Sequence, residues 1–132
     1  MTMRSVVNVA AVALCAGLCG CERQVSFAED IQPIFLENCV ECHDQAGEGI
    51  LASGFSVNNY DSVMKGTKFG PVVVPGSSVS SALYLVVAQK TAPEIQMPPQ
   101  HAEAWAEGRG RPLSEDEIET IGDWIDQGAL DN

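Results

Sequence analysis

The chain has 132 residues, with 18 acidic and 7 basic side chains and a formal net charge of −11 at pH 7. This length suits one small domain. The negative charge argues against nucleic acid as a partner and against adhesion to anionic lipid by charge alone. It is consistent with simple solubility or with attraction of a basic partner.

Residues 1–20 have the pattern of a secretory signal, with a positively charged start and an apolar run too short for a permanent membrane span. The run ends in Leu-Cys-Gly-Cys at positions 18–21, which resembles the lipobox of bacterial lipoproteins. We predict cleavage before Cys21, acylation of that cysteine and a short tether over residues 21–25. Several acyl chains would anchor the protein at the periplasmic side of a bacterial membrane. An ordinary cleaved signal peptide is the alternative.

The first helix after this leader is predicted to begin at Ser26, because Ser26 and Glu29 have the spacing of a capping box. Pro33 kinks this helix or restarts it near its first turn, and the helix is expected to end close to Asn38. One face carries four apolar residues at helical spacing: Phe27, Ile31, Ile34 and Phe35.

The most informative motif is Cys-Val-Glu-Cys-His at positions 39–43. In a C-x-x-C-H run each thiol can add to one vinyl group of a porphyrin, and the histidine that follows lies under the metal. We therefore predict that Cys39 and Cys42 attach haem c covalently and that His43 is the proximal ligand of its iron. Redox-active dithiols and zinc sites also use C-x-x-C pairs and remain alternatives. The chain has no second such pair and one further histidine, His101.

Two segments after the motif are predicted to lack regular structure. Residues 44–54 are polar and contain three glycines, which indicates a loop. Residues 70–76 are apolar but contain two prolines and two glycines, which favours an extended segment over a regular strand. A carbonyl of Pro71 or Pro75 is the predicted acceptor for the Nδ1 proton of His43.

Two further helices are predicted in the second half of the chain. Residues 82–88 form an apolar helix behind a serine-rich stretch that offers several N-caps. Ser114 and Glu117 have the spacing of a second capping box, and Gly128 is the predicted stop of that helix. The predicted apolar face of this helix has four residues at helical spacing: Ile118, Ile121, Trp124 and Ile125. Gly122 lies inside this helix, which predicts the close approach of another helix, most simply the first one.

Three residues are candidates for the distal iron ligand: Met64, Met97 and His101. Met97 is followed by two prolines, which stiffen its loop and remove amide donors from the neighbourhood of the thioether. Met97 is the predicted ligand, while His101 would give bis-histidine ligation and Met64 is the other alternative. The choice matters because a methionine ligand raises the reduction potential.

Several motifs occur in a fixed order around these candidates. The order is Asp30 to Phe35, then the attachment motif, Val74 to Ser77, Met97-Pro98-Pro99, and finally Leu113-Ser114 through Trp124-Ile125-Asp126-Gln127-Gly128-Ala129. With them, residues 25–132 resemble the planctomycete-type single-haem cytochrome c domain. The resemblance implies an all-α, cytochrome c-like domain over residues 26–132, wrapped around one covalent haem on Cys39 and Cys42, with His43 proximal and Met97 distal.

Residues 102–111 depart from this pattern and look like an insertion before the last helix. Trp105 and Arg109 within this stretch are candidates for contact with a haem propionate. A solvated loop is the alternative.

The expected function is the transfer of single electrons among redox proteins outside the cytoplasm, without enzymatic activity. The sequence shows neither a Ser/His/Asp set nor a phosphate-binding glycine loop. Two alternatives remain. One is a haem sensor or peroxidase-like domain with a labile distal ligand, and the other is a haem subunit of a larger oxidoreductase.

Overall fold

The computed structural model describes residues 23–99 and 111–132, together with Ala106 and Gly108. Six α-helices lie in this part of the chain: α1 (Gln32–Asn38), α2 (Val40–His43), α3 (Glu48–Ser53), α4 (Tyr60–Lys65), α5 (Ala82–Val87) and α6 (Glu115–Asp126). A π-helical turn, Phe27–Ile31, leads into α1, and 3₁₀ turns occupy Ser78–Ser80 and Pro93–Ile95. No strand is found among these residues beyond one isolated bridge in a turn, so the predicted all-α class is confirmed.

The first helical segment begins at Ser26, as predicted, but its cap differs from the expected one. The Ser26 hydroxyl accepts a hydrogen bond from the Glu29 amide at 3.1 Å. The second hydrogen bond of the cap runs from the Ser26 amide to the carboxylate of Asp30, at 2.8 Å, where a capping box would use Glu29. Because the π turn is wider than an α turn, the acid one residue further along reaches the cap.

The core lies where this segment packs against α6. Phe27, which is buried, has its ring 5.6 Å from that of Trp124 and 6.4 Å from that of Phe35, measured between ring centroids. The side chains that are fully buried here come from both helices: Ile31, Phe35, Ile121, Trp124 and Ile125. The apolar faces predicted for the first and last helices are therefore the faces that form the core.

Helix α6 begins and ends as its sequence predicts. Ser114 and Glu117 form a capping box, in which the side chain of each residue accepts a hydrogen bond from the backbone amide of the other. Gly128 has a φ of +107°, and its amide donates to the Ile125 carbonyl at 3.0 Å. The Ala129 amide donates to the Trp124 carbonyl at 2.8 Å, which completes a Schellman motif.

The two ends of the described chain are joined by hydrogen bonds. The Asn132 carbonyl accepts from the Ala28 amide at 3.1 Å and from the Ser26 hydroxyl at 2.6 Å. The Asn132 side chain accepts from the Phe27 amide at 3.0 Å. These bonds hold the start of the first helical segment beside the chain that follows α6, so both elements of the core are fixed at one edge.

Two sequence-based expectations are corrected in the middle of the chain. The predicted loop over residues 44–54 contains helix α3, which ends at Gly54 in the left-handed conformation. Gly122 does not lie against the first helix. A Cβ atom there would stand 3.1 Å from the ring of Tyr84, so the close approach is made by a side chain of α5. Residues 70–76 contain no strand, as predicted.

Across residues 23–99 and 111–132, no helix is both long and apolar enough to cross a membrane. The predicted signal, Cys21 and the segment holding His101, Trp105 and Arg109 lie outside the residues that the structure describes.

Candidate functional site

The attachment motif forms a single helical turn directly after α1. The Cys39 amide donates to the carbonyl of Phe35 at 2.9 Å, and the His43 amide donates to the carbonyl of Cys39 at 2.9 Å. Phe35 is fully buried in the core. The structure thus brings the three predicted residues of the motif together, with Cys39 at the N-cap of α2 and with Cys42 and His43 inside α2. The bond from Cys39 to Phe35 ties this turn to the buried core.

The two cysteines are half-buried and are not joined by a disulfide. Burial raises the pKa of the Cys39 thiol to about 12, and the negative charges of Glu117 and of an ionised Cys42 raise it further in the same direction. Cys39 is therefore a protonated thiol at neutral pH, the form that a thioether bond to a vinyl group requires, since such an addition uses both the sulfur and its hydrogen.

The His43 imidazole is held by one hydrogen bond on the side away from its metal-binding nitrogen. Its Nδ1 lies 3.0 Å from the Phe55 carbonyl oxygen. A carbonyl can only accept, so Nδ1 carries the proton, and Nε2 is the nitrogen with the lone pair in the neutral imidazole. The predicted acceptors, Pro71 and Pro75, were wrong. The Val57 amide also donates to the His43 carbonyl at 3.2 Å, so one extended segment holds both the ring and the backbone of His43.

Two glycines in the following segment lie unusually close to the motif. A Cβ atom on Gly49 would stand 2.6 Å from Cε1 and 2.7 Å from Nε2 of His43, and 2.8 Å from the Cys42 carbonyl oxygen. A Cβ atom on Gly47 would collide with the Cys42 carbonyl. A side chain at position 49 would therefore collide with the metal-binding edge of the imidazole, and glycine avoids this collision.

The structure places two of the three candidates for the distal ligand. Met64 and Met97 are both half-buried and pack against the core. The Met97 amide donates to the Val86 carbonyl at 3.1 Å, which ties its loop to the end of α5. His101 is outside the described residues.

A polar cluster beside the motif was not predicted. Asn38, the residue before Cys39, donates through Nδ2 to the Glu117 carboxylate at 3.0 Å and to the Ile34 carbonyl at 3.0 Å. Arg111 donates to the Asn38 side-chain oxygen at 2.9 Å. We call Asn38, Arg111 and Glu117 the Asn38 cluster. It links the end of α1 to the start of α6.

The Glu117 carboxylate in this cluster is ionised at neutral pH. Burial acts to raise the pKa of Glu117, but its partners outweigh burial and lower the pKa below the usual value. These partners are the backbone amide and hydroxyl of Ser114, the side-chain amide of Asn38 and the positive charge of Arg111. The only sequence signal for Glu117 was its capping box, and Asn38 carried no signal for this contact.

The donor set fits a covalent haem. It offers two thiols on one helical turn, a histidine whose Nδ1 proton is engaged and whose Nε2 is available, and a glycine that keeps side-chain atoms away from that nitrogen. Within the described ranges, no three His, Cys, Asp or Glu side chains gather as they do around a bound metal ion.

Comparison with known proteins agrees with this assignment. Residues 39–101, a little under half of the chain, match the family model of planctomycete cytochrome C, and the match begins at the first cysteine of the attachment motif. No curated protein and no solved structure gives a significant match. Residues 39–101 are thus similar to a planctomycete-type cytochrome c domain, and this similarity supports a haem-containing cytochrome.

Proposed function

We propose that the protein carries single electrons outside the cytoplasm through one haem c, bound to Cys39 and Cys42 and ligated by His43 and Met97. The hydrogen bond from His43 Nδ1 to the Phe55 carbonyl is the observation that carries the proposal. It fixes the tautomer that a proximal ligand needs and makes Nε2 more electron-rich. When bound, the haem supplies an iron that cycles between Fe(II) and Fe(III).

The residues around the motif serve to attach and orient the group. Helix α2 and its N-cap residue Cys39 present both cysteines and His43 within one turn, and the Cys39 amide donates a hydrogen bond to the carbonyl of the buried Phe35. Phe55 is itself buried, and its ring contacts the imidazole edge-on with 5.4 Å between ring centroids. This packing keeps the imidazole in one orientation, so little reorganisation accompanies a change of oxidation state.

Met97 is proposed as the distal ligand in preference to Met64. The Met97 backbone is anchored to α5 by its bond to Val86, while Pro98 and Pro99 limit the motion of the loop. Met64 lies within α4, one residue after the fully buried Val63, where a flexible thioether is ordinary core filling.

Location and partners are also part of the proposal. We expect residues 1–20 to be removed, Cys21 to be acylated, and the domain to be held at the periplasmic side of a bacterial membrane, where it exchanges electrons with other redox proteins. An excess of acidic residues favours partners with a basic docking surface. Mass spectrometry of the mature N-terminus tests this, and Cys21→Ala should release the protein into the soluble fraction.

The central test is a pyridine haemochrome spectrum of the purified protein after denaturation. Two thioethers are expected in the wild type, and Cys39→Ala or Cys42→Ala should each leave one vinyl group and shift the spectrum accordingly. Cys15→Ala, in the predicted leader, is the matched control and should change nothing. Haem that is extracted by acidified solvent from the wild type would contradict covalent attachment.

The distal ligand is tested separately in the ferric protein. Methionine ligation gives a weak far-red charge-transfer band, which Met97→Ala should abolish while Met64→Ala and His101→Ala retain it. Loss of the band in Met64→Ala alone would transfer the role to Met64. A wild-type protein without the band would refute methionine ligation and leave two alternatives: bis-histidine ligation through His101, or an open distal site that suits a sensor or peroxidase-like function.

A further inference from the structure

We infer that the Glu117 carboxylate lowers the reduction potential of the haem attached at Cys39, because its fixed negative charge favours ferric over ferrous iron. The inference rests on the proposed attachment of haem to Cys39 and Cys42. It concerns the Asn38 cluster, whose three residues all lie outside the family match.

The charge on Glu117 is fixed in space. One carboxylate oxygen accepts from the Ser114 amide at 2.7 Å and from its hydroxyl at 2.9 Å, and the other accepts from Asn38 at 3.0 Å. Only 20 % of the Glu117 side chain is exposed, while Glu115, Asp116 and Glu119 on the same helix are exposed. Solvent therefore screens Glu117 less than its neighbours.

The field of this charge reaches the place where the haem would be bonded. Asn38 connects the carboxylate to the residue directly before Cys39. Reduction of a haem bonded to the Cys39 sulfur adds negative charge in this region. A fixed negative charge nearby opposes that addition.

Arg111 partly offsets the effect. Its guanidinium lies 3.8 Å from the Glu117 carboxylate, but 59 % of its side chain is exposed. An exposed ion pair is weakened by solvent and salt, so Arg111 does not cancel the charge of Glu117. Removal of Arg111 should act on the potential in the opposite direction from removal of the Glu117 charge.

The experiment is a spectroelectrochemical titration of the haem-loaded protein at neutral pH. Glu117→Gln removes the charge, while glutamine still serves at the third position of a capping box. We expect its midpoint potential to shift to a more positive value. Glu119→Gln makes the same change of charge at an exposed position of α6 and should shift the potential less. Arg111→Gln should shift it to a more negative value.

Asn38→Ala separates charge from shape, because it breaks the hydrogen bonds of the cluster without changing the net charge. We expect its shift to be smaller than that of Glu117→Gln. Equal shifts in these two variants, or a Glu117→Gln shift no larger than that of Glu119→Gln, would overturn the inference. If Glu117→Gln fails to fold by circular dichroism, the sign of the Arg111→Gln shift decides the question.

A haemochrome spectrum of each sample distinguishes two kinds of failure. Covalent haem with no excess shift in Glu117→Gln overturns the role of Glu117 and leaves the proposed electron carrier intact. The absence of covalent haem in the wild type overturns both.

Discussion

Replacement of Gly49 by alanine tests whether the segment after the motif shapes the surroundings of His43. The new Cβ would stand 2.6 Å from Cε1 of His43 and 2.8 Å from the Cys42 carbonyl oxygen. Either the imidazole or the backbone of α3 must move. The imidazole cannot move without straining its bond to Phe55, and the Cys42 carbonyl belongs to the backbone of the motif.

Two effects of opposite sign decide the expected magnitude. Gly49 lies inside α3, so alanine should stabilise that helix by up to about 1 kcal/mol. Overpacking of a well-packed site costs about 1–3 kcal/mol. Loss of the His43–Phe55 bond would cost about 0.5–1.5 kcal/mol more. The net expectation is therefore that the free energy of unfolding falls by about 1–3 kcal/mol.

Urea unfolding of the haem-loaded protein, followed by circular dichroism, measures this change. With a slope of about 2 kcal/mol per molar urea, a loss of about 2 kcal/mol moves the midpoint by about 1 M. The ferric absorbance spectrum should change as well, since the His43 ring is displaced. Leu51→Ala, at an exposed position of α3, is the control and should stay within about 0.5 kcal/mol of the wild type. A raised midpoint with an unaltered spectrum in Gly49→Ala would refute the reasoning.

Three further changes test the fold. Trp124→Ala removes a fully buried side chain whose indole donates to the Leu130 carbonyl at 3.0 Å, and should cost about 3–5 kcal/mol in urea unfolding. Ser114→Ala removes the cap of α6 and should cost about 1 kcal/mol by the same measurement. The pKa of Asp30 is lowered by the Ser26 amide and, more weakly, by Arg23, against burial, so its stabilisation is present above the ordinary aspartate pKa and lost as pH falls through the lowered value. Asp30→Asn should flatten the fall of unfolding free energy with acid, and an unchanged pH profile would contradict this.

Much of the helical framework could be predicted because its signals are local. The N-cap at Ser26, the end of α1 at Asn38, and the cap and stop of α6 all depend on residues within one or two turns. The apolar spacing of α6 also identified three of its core residues, Ile121, Trp124 and Ile125. The form of the Ser26 cap was the exception, because a π turn cannot be distinguished from an α turn by spacing alone.

The surroundings of His43 could not be predicted in the same way. Every residue has a carbonyl, so nothing in the sequence marks that of Phe55 as the acceptor rather than that of Pro71 or Pro75. Gly122 presents a related difficulty. A glycine in a helix indicates a close neighbour but does not identify it, and the neighbour proved to be the ring of Tyr84. Contacts between residues far apart in the chain decide both cases.

Glu117 shows how a local rule can be correct and still incomplete. The capping box accounts for one of its carboxylate oxygens, and the other bonds Asn38, which is 79 positions away in the sequence. Helix α2 has four residues and could not be stable alone. Two contacts hold it in place: the Asn38 cluster fixes the chain just before α2, and the hydrogen bond between His43 and Phe55 fixes the last residue of α2. The order of the motif therefore depends on two long-range contacts that its own five residues do not specify.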